Sequence, residues 1–167
     1  MAFPEVSTSR LKLRRVRESD LDAFAALEAS LRAREEPPRK PPEVLDCARF
    51  LNAFVEVWDR GEHGYWTILL GERVAGFGGV QPKLWRDRRC WNLYYRVAPE
   101  FWGMGIATET ARAAIAAGAS AQPGWPVLVE TSPSNASAIR VAERVGLTRQ
   151  PACPDGEYAV LLLEPGA

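Results

Sequence analysis

The residues whose types and spacing could do chemistry lie between Val97 and Glu109, in the stretch VAPEFWGMGIATE. Gly103 and Gly105 flank Met104, between a strand-like run, Leu93 to Val97, and an Ala- and Thr-rich segment with helical spacing. Glycine at both places lets backbone N–H groups converge without Cβ interference, and a helix start adds unpaired N–H groups and the positive end of the dipole. The chemistry this offers is anion binding, in a pocket for a phosphate or pyrophosphate. The same spacing also serves a plain packing turn. No Lys-Ser or Lys-Thr follows Gly105 and no third glycine completes a dinucleotide fingerprint, so the loop is neither a P-loop nor a Rossmann turn.

Other reactive side chains are sparse. His63, the only histidine, sits in Gly61-Glu62-His63-Gly64 and reads as a solvated loop residue, and no Ser/His/Asp triad emerges. Cys47, Cys90 and Cys153 are odd in number and far apart, which argues against a zinc site and a disulfide framework, so no metal is expected. The 167 residues suit one domain spanning the chain, 47% hydrophobic and 25% charged. Lys plus Arg and Asp plus Glu both number 21, which gives no global attraction to nucleic acid or an anionic membrane. With no apolar leader and no long uncharged apolar run, the expected compartment is the cytoplasm.

The elements that must position the loop follow from hydrophobic period. Arg10 to Val16 alternates as a strand, and Ser19-Asp20-Leu21-Asp22 reads as an N-cap with an acidic first turn, continued by Phe24, Ala25, Leu27 and Leu31. Glu35 to Pro42, EEPPRKPP, cannot extend that helix. From Glu43, the series Val44, Cys47, Ala48, Leu51, Phe54, Val55 and Trp58 predicts an amphipathic helix with Cys47 in the core. Tyr65 to Leu70 and Val74 to Val80 form a hairpin around Gly71-Glu72-Arg73, ended by Gln81-Pro82, with Arg86 to Arg89 as a charged turn. Gly76, Gly78 and Gly79 suggest a bulge or close approach of another backbone.

In the strand Cys90 to Val97, period two sets Trp91, Leu93, Tyr95 and Val97 on one face and Asn92, Tyr94 and Arg96 on the other. The second face either looks toward a reaction site or leaves Arg96 solvated and Tyr94 packed. After the glycine loop, Ala107, Ala111, Ala114, Ile115 and Gly118 line a helix that packs closely on a sheet. A loop from Ala119 to Pro126, a strand from Val127 to Thr131 and a short helix from Ala136 to Val145, stopped by Gly146, come next. Tyr158 to Leu163 is the last strand.

Trp102-Gly103-Met104-Gly105-Ile106-Ala107 resembles motif A of the GNAT superfamily of N-acetyltransferases, a Gln/Arg-x-x-Gly-x-Gly/Ala loop, with Trp at its first position. Asn135 to Leu147 resembles motif B, and the two stand in the family's order. The Trp102 form and the opening Arg-Leu-x-Leu-Arg are similar to the ribosomal-protein N-terminal acetyltransferase branch. The resemblance implies an α/β (α+β) single domain with a mixed sheet of about six to seven strands, about four helices and a splayed strand pair. It implies acetyl-CoA as cosubstrate and direct acetyl transfer to a primary amine, on a small molecule or a protein N-terminus. The alternative is a non-catalytic acyl-CoA-binding module. Other partners implied are few: no nucleic acid, no membrane, and a monomer or homodimer.

Residue roles carry over from the same resemblance. Backbone groups of Val97 and Ala98 would take the pantetheine arm, those of Trp102, Gly103, Met104, Gly105, Ile106 and Ala107 the pyrophosphate, and Thr108 would add a hydroxyl. Asn135 would bond the arm or orient a water, or serve only as an N-cap. The proline-rich loop and the helix after it would help select the acceptor. Three familiar acid-base positions hold Asn92, Ala138 and Ala142. The substitutes are Tyr94 and Glu130, alongside Asn135, with solvent carrying the remaining protons.

Overall fold

The computed structural model describes residues 5–152 and 156–167, so Cys153 lies outside the described residues. One eight-stranded sheet runs in the order β1-β2-β3-β4-β5-β6-β8-β7. The strands are β1 (Val6–Ser7), β2 (Leu11–Arg15), β3 (Tyr65–Leu70), β4 (Arg73–Trp85), β5 (Arg88–Val97), β6 (Val127–Thr131), β7 (Thr148–Arg149) and β8 (Ala159–Leu163). The helices are α1 (Leu21–Arg32), α2 (Val44–Asp59), α3 (Ile106–Ala121) and α4 (Ala136–Arg144). The β5–β6 pair is parallel, and its neighbours in the sheet pair antiparallel. The two-residue strands β1 and β7 bring the sheet to eight, one or two more than the resemblance implies. No helix among the described residues is long and apolar enough to cross a membrane.

Two apolar layers hold the helices to opposite faces. Ile106, Ala111 and Ala114 of α3 and Ile139 and Ala142 of α4 pack with Leu11, Ile68 and Leu93. On the other face Phe24 and Leu27 of α1 and Cys47 and Leu51 of α2 pack with Tyr65 and Phe77. The small residues of α3 do what their size allows: Gly118 lies against the Trp91 indole, where a Cβ would come within 3.0 Å of the ring. On α2 the buried series begins at Cys47, while Val44, Leu45 and Phe50 are exposed.

Asp20 fixes the entry to α1. Its carboxylate accepts both Nη groups of Arg14 at 2.9 and 2.7 Å, the Arg17 N–H at 2.9 Å and the Thr67 hydroxyl at 2.7 Å. One 5%-exposed side chain therefore joins β2, β3 and the start of α1.

The hairpin does not end at Gln81-Pro82; β4 continues to Trp85 in unbroken register with β5. The reason lies in the outer edge of β4. Pairing with β3 stops at Tyr65↔Gly79, so Pro82 faces no strand on that side and its missing N–H breaks no ladder bond. The turn that follows places Arg86 and Asp87 at φ 49° and 59°, the left-handed pair a two-residue hairpin needs. At Gly76 a Cβ would stand 2.2 Å from the Arg96 carbonyl oxygen, which is the close backbone approach the glycines suggested. The helix after the glycine loop runs to Ala121, into the expected loop, and the last strand starts at Ala159.

Candidate active site

The glycine loop has the geometry of an anion cradle. Gly103 and Gly105 take φ values of 79° and 75°, and Gly105 is the left-handed N-cap of α3. Among the described residues none of the six consecutive amides from Gly103 to Thr108 donates to a protein acceptor; the first internal bond of α3 is Glu109 N–H to Gly105 C=O, at 3.0 Å. An acid in that first turn would oppose an incoming anion. Glu109 is instead held by Arg10 at 2.7 and 2.9 Å and by the Thr8 hydroxyl, and Arg10 also donates to the Met104 carbonyl at 2.7 Å. Burial works to raise the Glu109 pKa, and the bonds from Thr8 and Arg10 outweigh it, so the carboxyl titrates below its ordinary value.

Beside the loop the sheet opens. β5 and β6 pair only at Trp91↔Val127 and Asn92↔Leu128, after which the strands part. Alternation in the β4–β5 ladder turns the backbone groups of Leu93, Tyr95 and Val97 away from β4, toward the opening; the Trp91 N–H, in the same phase, bonds Pro126 C=O at 2.8 Å. Val97 C=O accepts the Trp102 indole N–H at 2.9 Å, which ties the first motif residue back to the strand end. Ala98 is in the opposite phase. Its N–H goes to Ala75 C=O at 2.8 Å and its C=O accepts from Phe101 N–H at 2.9 Å, so its N–H is committed to β4.

On the face of β5 opposite α3, a cavity of about 340 Å³ lies between the sheet and helices α1 and α2. Tyr94 and Arg96 line it, as do Pro42 of the proline-rich loop and Cys47 and Phe54 of α2. Arg96 is paired with Glu28, 2.7 Å between Nε and Oε1. Tyr94 stacks on Tyr65, ring centroids 4.8 Å apart, and Asn92 Nδ2 donates to the Tyr65 oxygen at 2.5 Å. Burial pushes both phenols well above the usual tyrosine range; the nearby Arg96 charge offsets this only partly for Tyr94, as the Asn92 bond does for Tyr65. Both therefore stay protonated at neutral pH and can donate hydrogen bonds. Sequence reasoning missed Tyr65, although alternation along Tyr65-Trp66-Thr67 sets it on the face opposite Trp66.

The remaining candidates are dispersed. Glu130 is ion-paired with Lys83 and is not part of the cavity wall. Asn135 caps α4, accepting the Ala138 N–H and the Ser137 hydroxyl at 3.2 Å each. Ala138 C=O accepts the Tyr95 hydroxyl at 2.6 Å, and Ala142 is fully buried, so neither position offers a side-chain proton. Thr108 is half-buried in the first turn of α3, with its amide among the six.

His63 is not solvated. It is 4% exposed, with the rings of Trp58, Trp66 and Trp91 at 5.0 to 6.0 Å and Nδ1 3.1 Å from Val80 C=O. Its neighbours come from α2, β3 and β5, elements that local sequence does not bring together. Cys47 and Cys90 are buried free thiols, and no cluster of metal-ligating side chains exists among the described residues.

The family model of the acetyltransferase (GNAT) domain matches residues 10–148. The structure is similar to that of an acetyltransferase from Agrobacterium tumefaciens str. C58, with a TM-score of 0.80, 25% identity, and 98% of this chain and 96% of that one covered. It is similar in fold to RimL, a ribosomal L7/L12 alpha-N-protein acetyltransferase, in complex with coenzyme A: TM-score 0.77, 16% identity, 94% and 95% covered. The fold also matches the microcin C7 self-immunity acetyltransferase MccE in complex with acetyl-CoA and AMP: TM-score 0.72, 12% identity, 94% and 93% covered. With the family match taking in the glycine loop, the opened strands and α4 alike, the chain belongs to the GNAT acetyltransferase family and is an acetyl-CoA-dependent N-acetyltransferase.

Proposed function

We propose that this chain, acting as a single domain in the cytoplasm, acetylates a primary amine seated in the cavity between α1, α2 and β5. The observation that carries the reading is the run of six unpaired amides from Gly103 to Thr108, at the end of the strand whose other face bears Tyr94 and Arg96. The residues fit the cosubstrate: the glycine-loop amides and Thr108 would bind the pyrophosphate, and the open backbone edge of Tyr95 and Val97 would take the amides of the arm. Acetyl-CoA supplies the activated acyl group.

The chain's own residues orient and solvate. Transfer needs a neutral amine, a donor for the developing oxyanion and a proton for the thiolate. Tyr94 is the protonated donor on the cavity wall, while the lone histidine is sequestered elsewhere. Proximity and a good leaving group provide much of the barrier reduction, and solvent takes the amine proton.

The test is calorimetric titration with acetyl-CoA and CoA, alongside thiol release over a panel of amines and N-terminal peptides. Binding with amine-dependent release is expected. Absence of binding would overturn the glycine-loop assignment, and binding without release across the panel would overturn the acceptor cavity.

A further inference from the structure

The cavity wall contains polar groups that the protein leaves unsatisfied. Arg32, the last residue of α1, lines it with a buried Nε that has no hydrogen-bond partner. No described carboxylate lies within ion-pair distance of its guanidinium, because each nearby acid is engaged: Glu28 by Arg96, Glu35 by Arg39, and Asp46 by Arg49 at 3.7 Å. Gln81 Oε1 is buried in the same wall without a donor. Arg96 Nε in the same wall also lacks a hydrogen-bond partner but stands 2.7 Å from the Glu28 carboxylate, whereas Arg32 has no counter-charge and Gln81 Oε1 no donor. Buried polar atoms in folded proteins are nearly all bonded, so these two, of complementary kind, point to a ligand that brings both partners.

Building on the acceptor-cavity reading, we propose that the acceptor carries a carboxylate as well as its amine, on a small apolar or aromatic body: an amino-acid-like molecule. The Arg32 guanidinium is a planar fork suited to a carboxylate. Gln81 accepts an N–H of the amine. Gln81 is the cross-strand partner of Asn92, the last β5 residue paired with β6, so an amine bonded there stands where the strands begin to part. The body lies against Phe24, Phe54, Tyr65 and Tyr94, whose rings form one contiguous aromatic cluster. At about 340 Å³ the cavity is near the lower end of ligand pockets, which run about 300 to 1,000 Å³, and it suits one small molecule or one residue.

The carboxylate has two sources, the α-carboxylate of a free amino acid or the side chain of an acidic residue at a peptide N-terminus, and binding of reaction products separates them. CoA-saturated protein is titrated with N-acetyl-L-phenylalanine, N-acetyl-L-phenylalaninamide and the α-amide of N-acetyl-L-aspartate. Tighter binding of the first marks a free amino acid, and of the third an acidic N-terminal residue. Arg32→Gln is expected to weaken the carboxylate-bearing probe about tenfold to a hundredfold and to leave the phenylalaninamide unchanged, with Arg32→Lys recovering part of the loss. Equal binding of all three probes, no binding of any probe, or an Arg32→Gln protein with unaltered affinity and an unaltered melt would overturn the proposal. CoA affinity, read in the same titrations, separates the two failures: if CoA binds normally, the carboxylate inference alone falls.

Discussion

Replacing Asp20 by Asn isolates the contribution of the junction between β2, β3 and α1. Oδ2 accepts three donors, from Arg14, Arg17 and Thr67, and Oδ1 accepts the second Arg14 nitrogen at 2.7 Å. An amide can keep its oxygen on the three-donor side, but its NH2 then faces Arg14 Nη2, donor against donor. One charge-assisted bond, about 1.5–3 kcal/mol, is lost, and a guanidinium whose side chain is only 13% exposed loses its counter-charge. The expected destabilisation is about 2–4 kcal/mol, near the low end of what breaking a fully buried pair costs. For a chain of this length that is a fall in Tm of about 5–15 °C.

The pH dependence sharpens the test. Burial works to raise the Asp20 pKa, and the bonds from Arg14, Thr67 and the Arg17 amide outweigh it, so the folded value lies below 3.8. A depressed carboxylate contributes stability that is present above its unfolded pKa and lost as pH falls through the folded one. The gap between the native protein and Asp20→Asn is therefore constant from pH 7 to about 4 and closes at lower pH. Urea unfolding followed by tryptophan fluorescence reads both quantities. A loss under about 0.5 kcal/mol at pH 7, or a gap that persists unchanged well below pH 3, would refute the reasoning. Because α1 carries Glu28 and Arg32, the same substitution is expected to raise KM for the acceptor and spare CoA affinity.

Gly76→Ala forces a Cβ to within 2.2 Å of a backbone carbonyl, so the β4–β5 ladder must shift; destabilisation of about 1–3 kcal/mol is expected by denaturant titration. Burial, partly offset by bonds to Val80 and Gly64, holds the His63 pKa below 6.5, so the unfolded chain takes up a proton that the folded chain does not. Stability should fall as pH drops below about 6.5, and His63→Phe should flatten that slope between pH 7 and 5. Tyr94→Phe should lower kcat about tenfold to a hundredfold with little change in CoA affinity, whereas Glu130→Gln, which only breaks the pair with Lys83, should leave kcat within about twofold. Steady-state kinetics decides between them.

What was legible in the sequence was what local rules decide. Gly103 and Gly105 announced a loop of converging amides because no Cβ stands in the way, and Cys47 and Leu51 announced a helix face because burial repeats with the helical period. The misread positions depend on neighbours distant in sequence. Pro82 continues a strand only because β3 has already ended, and His63 is buried only because three tryptophans from α2, β3 and β5 meet over it. The pairing of Arg14 with Asp20, six residues apart, was hidden because Asp20 looked complete as a local capping residue. Arg32 and Gln81 carried no sequence signal, since what distinguishes them is a partner that is missing.

The two shared residue pairs between β5 and β6 have a thermodynamic consequence. The β1–β5 meander and the β6–β8–β7 unit are held together across that seam by α3 and α4 packing on one face, by Cys90 with Leu128, Val160 and Leu162 on the other, and by the pairs Lys83–Glu130 and Arg88–Glu164. A molecule bridging the seam acts as a structural cross-piece and adds RT ln(1 + [L]/Kd) to the folding free energy. The melting temperature of this protein then becomes a gauge of its cosubstrate.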